Sequence, residues 1–84
     1  MKNNLEEKAQ EISDKFKEFL GHHNKFLRYE IFYIEEQEKF EIEILPKKKG
    51  FNSQKYFMWY FETTKGQEEL SKFAKENNVG FVRY

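Results

Sequence analysis

Leu5, Ala9, Ile12, Phe16, Phe19 and Leu20 recur at spacings of three and four, with polar residues between them. That is one apolar stripe at helical period, and it predicts a helix over residues 5–20 lying on a surface. Asn4 stands at the N-cap position with Glu7 three residues on, an Asn version of the capping box. Glu6 and Glu7 put negative charge in the first turn, where the helix dipole favours it. Glu11 and Lys15 are ordered for an i,i+4 pair. Gly21 offers the left-handed residue that ends a helix.

From Lys25 the period changes to two. Leu27, Tyr29, Ile31 and Tyr33 alternate with Arg28, Glu30, Phe32 and Ile34; beyond a polar break at residues 35–38, Phe40, Ile42 and Ile44 alternate with Glu41 and Glu43. Two such runs predict a β-hairpin with Phe40, Ile42 and Ile44 facing inward. Pro46 stops the second strand, and residues 47–54 read as a basic loop. Residues 55–62 (KYFMWYFE) are apolar on both faces and aromatic, which predicts a strand in mid-sheet. Thr64 and Gln67 then form a capping box, predicting a helix over residues 65–76 with Leu70, Phe73 and Ala74 buried. Asn77 and Asn78 end it, and residues 79–84 close the chain as a short strand.

The expectation is therefore a single α+β domain over residues 1–84, in the order α-β-β-β-α-β. Two helices would pack on one face of a mainly antiparallel sheet of three or four strands, leaving the other face open. Phe16, Ile31, Ile42, Trp59 and Phe73 are the expected core.

Composition sharpens this picture. Ten Phe, five Tyr and one Trp stand against five Leu, five Ile and two Val. Sixteen aromatics exceed what one small core uses, so some are expected on the surface. Fifteen basic and fifteen acidic side chains cancel, removing the simplest argument for a duplex-DNA binder. The chain has no cysteine, so disulfides, thiolate metal sites and a cysteine nucleophile are excluded. It shows neither a secretory leader nor a run of about 18 apolar residues, and a cytoplasmic setting is expected. Abundant Lys, Asn, Ile, Phe and Tyr follow AT-rich codons, as in low-GC bacteria, their phages and plasmids.

Two nucleic-acid signatures are partly matched. The α-β-β-β-α order resembles that of double-stranded-RNA-binding domains, whose second helix opens on phosphate-binding lysines. Here it opens Lys65-Gly66-Gln67-Glu68-Glu69, with acids in their place, and the family is not assigned. Gly80, Phe81, Val82 and Tyr84 match the last half of the RNA-recognition-motif signature. The basic residue, first glycine and first stacking aromatic are missing, and a closing strand explains the segment. His22 and His23 are adjacent and lack the spaced partners of a zinc set, and a histidine near a helix C-terminus is favoured by the dipole alone. No catalytic, cofactor-binding or metal-binding residue is assigned.

The candidate chemistry is recognition. By alternation, Phe57, Trp59 and Phe61 point to the core, leaving Tyr56, Met58 and Tyr60 on the open face beside Arg28 and Phe32. Glu36, Glu38, Glu41 and Glu43 form an acidic hairpin next to them. These nine residues are the expected contact surface of a non-enzymatic protein-binding module, of the inhibitor or regulator type that phages and plasmids encode. Its partner is another protein, a second copy of the chain included. The alternative is a single-stranded nucleic-acid or RNA binder that uses the aromatic face with Lys47, Lys48 and Lys49 as phosphate contacts.

Overall fold

The computed structural model describes residues 2–48 and 51–82. Helix α1 (Lys2–Leu20) buries Ile12, Phe16 and Leu20 along the expected stripe. It starts ahead of the expected cap, with Asn4 inside the first turn, because no proline or glycine precedes Leu5 to stop it. Glu11 and Lys15 pair at 3.3 Å. Gly21 takes φ +56° and ends α1 as anticipated. A 3-10 stretch over Gly21–Phe26 follows, so the first strand begins at Tyr29, four residues after the change of period.

Strands β1 (Tyr29–Ile34) and β2 (Lys39–Ile44) pair antiparallel, with Tyr29 opposite Ile44, Ile31 opposite Ile42 and Tyr33 opposite Phe40. A 3-10 turn over Glu35–Gln37, with Glu38 left-handed at φ 49°, joins them where the polar break predicts. Short strands β3 (Lys47–Lys48) and β4 (Phe51–Asn52) form a separate two-stranded ladder.

The segment predicted as a mid-sheet strand is instead helix α2 (Ser53–Phe61). Local chemistry explains the difference. Asn52 caps the helix, its side-chain oxygen accepting the Lys55 N–H at 3.0 Å. Residues 55–62 hold no β-branched side chain to favour an extended backbone. The side chains that turn inward, Ser53, Phe57 and Phe61, lie four apart. Helical geometry carries Trp59 off that face, and it is 68% exposed rather than a core residue.

Helix α3 (Thr64–Asn77) follows almost at once, capped by Thr63 rather than Thr64: the Thr63 hydroxyl accepts the Gly66 N–H at 3.1 Å. The corner is tight. A Cβ on Gly66 would lie 2.7 Å from the Tyr60 carbonyl oxygen and 2.8 Å from the Phe61 Cα. Asn78, left-handed at φ 51°, ends α3.

Strand β5 (Val79–Phe81) pairs with β2 in parallel, so the sheet order is β1-β2-β5. Returning the chain through α2 and α3 makes this a crossover connection, which is what a parallel pair requires. The fold is α+β: the described residues form three helices and a three-stranded sheet, antiparallel between β1 and β2 and parallel between β2 and β5, and the expected α-β-β-β-α-β order is not kept. One core cluster joins Ile12, Phe16 and Leu20 of α1 to Phe40, Ile42, Ile44, Phe61, Phe73 and Val79. Phe16, Ile42 and Phe73 are buried as predicted, and Ile31 is half-buried against them. Among the described residues no helix is long and apolar enough to cross a membrane.

Candidate interaction surfaces

The strand register sorts side chains onto two faces. Opposite the core lie Glu30, Phe32 and Ile34 of β1, Lys39, Glu41 and Glu43 of β2, and Gly80 of β5. Arg28 extends this face, its carbonyl accepting the Leu45 N–H at 2.7 Å. Arg28, Glu30 and Phe32 are exposed, and the core cluster takes its strand residues from the other side of the sheet. Glu30 stands directly opposite Glu43, and Phe32 opposite Glu41. Gly80 leaves room over β5: a Cβ there would come within 3.3 Å of the Glu41 carboxylate and 3.6 Å of the Lys39 stem. The described ion pairs, Glu11–Lys15 and Lys72–Glu76, lie on the helices, so none neutralises these carboxylates. Glu35, Glu36 and Glu38 continue the negative surface at the hairpin turn.

The aromatic residues gather elsewhere. Tyr56 and Tyr60 of α2 meet the 3-10 stretch that follows α1. The imidazole Nδ1 of His23 shares a 2.5 Å hydrogen bond with the Tyr56 hydroxyl, and its ring lies 4.0 Å from that of Tyr60. Burial and the neighbouring His22 hold the His23 pKa below 6.5, while burial and Tyr60 push the Tyr56 phenol above 10.0. Phe26 packs 5.1 Å from Tyr56 and carries the Lys25 ammonium 5.1 Å from its ring centre. Ser53, fully buried, ties this corner together by donating to the Phe26 carbonyl at 3.0 Å. A shallow hollow lined by Asn52, Lys55, Tyr56 and Trp59 opens beside it. The backbone of β3 sets Lys47 opposite Asn52 and Lys48 opposite Phe51, at the start of α2. Lys49 lies outside the described residues.

Of the nine expected contact residues, the structure brings Arg28, Phe32, Glu41 and Glu43 together on the open sheet face, with Glu36 and Glu38 at its end. Tyr56, Met58 and Tyr60 are not on that face, a correction that follows from α2 being a helix. Tyr56 and Tyr60 are half-buried at its base. Met58, 39% exposed, lines a groove with Phe57, Leu70 and Phe81 beside β5. Sequence reasoning missed exposed Trp59. The Asn at position 52, three residues before Lys55, was the signal that could have revealed it. Among the described residues no three His, Cys, Asp or Glu side chains converge as a metal set. No protein-family model, curated protein or solved structure matches the chain.

Proposed function

We propose that this chain is a small non-enzymatic protein-binding module that lays its open sheet face on a basic surface of another protein. The supporting observation is Phe32, 36% exposed in the middle of that face, with Glu30, Glu41 and Glu43 around it. Like charges directly opposed on neighbouring strands destabilise a sheet, so a row of carboxylates with an apolar centre makes sense where an external cation completes it. The occupant of matching chemistry is a surface rich in Lys and Arg, such as one that otherwise holds nucleic acid. Covering such a surface is the work of an inhibitor or regulator. The small size and the AT-rich residue usage fit the antagonists that phages and plasmids produce, acting in the host cytoplasm.

Affinity capture from a bacterial lysate, run in parallel with the wild type, Phe32→Ser and Glu41→Lys/Glu43→Lys, tests the reading. A partner retained by the wild type, lost by both variants and displaced by a polyanion supports it. Identical capture by all three proteins removes the sheet face from the account.

A further inference from the structure

Zero net charge conceals a segregation of charge in space. Residues 21–29 and 44–61 contain Lys25, Arg28, Lys47, Lys48, Lys49 and Lys55 and not one acidic side chain. The fold clamps these two segments together through the Ser53–Phe26, His23–Tyr56 and Leu45–Arg28 hydrogen bonds. The glutamates of the hairpin project from a different element, the open sheet face. Arg28 lies with those glutamates on the sheet face, so the described cations beside the aromatic residues of the end that the two segments form are Lys25 and Lys55. Trp59 is the most exposed large apolar side chain among the described residues.

An indole 68% exposed cannot be held there by packing, and Tyr56 supports it from 5.8 Å with its ring tilted at 54°. Lys55 shares the hollow with both rings, and Lys25 sits one ring further on, over Phe26. Flat π-faces spaced along a cationic track suit a ligand that alternates aromatic planes with negative charge. A single-stranded nucleic acid has that chemistry; an acidic peptide supplies the charge without the planes. We propose that this end of the molecule binds single-stranded nucleic acid, with one base stacked on Trp59 and adjoining phosphates set against Lys55 and Lys25. The site is separate from the sheet face and does not depend on that face having a partner.

Trp59 is the chain's one tryptophan, so its own fluorescence reports the contact. Titration with a short oligo(dT) or oligo(U) should quench it. Affinity should fall steeply with salt, and the salt slope should drop by about one for each of Lys25→Gln and Lys55→Gln. Trp59→Ala, which removes an exposed side chain and leaves thermal unfolding unchanged, should weaken a labelled oligonucleotide about tenfold or more. Glu41→Lys/Glu43→Lys should not weaken it, so failure of the sheet-face reading and failure of this one are told apart. Three results would overturn the proposal: no quenching at low salt, equal quenching by polyglutamate, or quenching by anionic vesicles without any by the oligonucleotides.

Discussion

His23 and Tyr56, thirty-three residues apart, share a hydrogen bond at 2.5 Å that ties the end of the first helical segment to α2. A histidine whose folded-state pKa is held below its ordinary value favours the neutral ring, so the unfolded chain takes up the extra proton. This contribution is fully present above about pH 6.5 and is lost as the pH falls through the lowered value. The melting temperature should drop between neutral pH and about pH 5, and the drop should be shallower in His23→Gln. Tyr56→Phe should cost about 0.5–1.5 kcal/mol at neutral pH in urea unfolding.

Trp59 and Phe16 mark the extremes of the aromatic set, one largely in solvent and the other fully buried. Phe16 packs within about 6 Å of Phe19, Tyr29, Phe73 and Phe81. Phe16→Ala should therefore cost about 3–5 kcal/mol, and Trp59→Ala no more than about 0.5 kcal/mol. Denaturation midpoints of the two variants check this directly. Equal losses would mean that Trp59 is packed after all.

The α1 stripe and the hairpin were legible because each shows one buried face over many residues, and a single period accounts for each. The inward face of β2 followed from Phe40, Ile42 and Ile44 alone. Residues 55–62 were not legible in that way. With Tyr, Phe, Met, Trp, Tyr and Phe in succession, alternation and helical period fit equally well, and the cap at Asn52 decides between them. That one segment governed the rest. Read as a strand, it buried Trp59, placed Tyr56, Met58 and Tyr60 on the sheet and hid the crossover that makes β5 parallel. Net charge also misled, because a sum carries no information about where the charges sit.

Gly66 lies in the first turn of α3, where replacing glycine by alanine in a helix would ordinarily add up to about 1 kcal/mol of stability. Here the new Cβ would meet backbone atoms of Tyr60 and Phe61 at 2.7 and 2.8 Å, and backbone at a tight corner has little room to give. Gly66→Ala should destabilise the protein by about 1–3 kcal/mol. A variant melting at or above the wild-type temperature would show that the α2–α3 corner can open.

Tyr29 faces the core with its ring edge-on to Phe16 at 4.8 Å, and its buried hydroxyl has no hydrogen-bond partner. Burial raises its pKa, an effect that the nearby Ser13 hydroxyl offsets in part without reaching bonding geometry. Tyr29→Phe should leave stability unchanged or raise it by about 1 kcal/mol, since it removes a desolvated group and keeps the ring. A loss on urea unfolding would reveal a bond from Ser13.

Glu30 opposite Glu43 poses stability against recognition most directly. The two carboxylates are cross-strand neighbours, and among the described residues no cation is paired to either. If they were only solvated surface, replacing Glu30 by lysine would relieve the repulsion and change nothing else. On the sheet-face reading, Glu30→Lys should raise the melting temperature and at the same time weaken capture of a basic partner. The partner, in turn, should raise the melting temperature of the wild type more than that of the variant, because it supplies the positive charge that the lysine already provides. Melting curves of both proteins, with and without the captured partner, measure the two effects together. A gain in stability with capture unchanged would make the acidic face a solvated surface and nothing more.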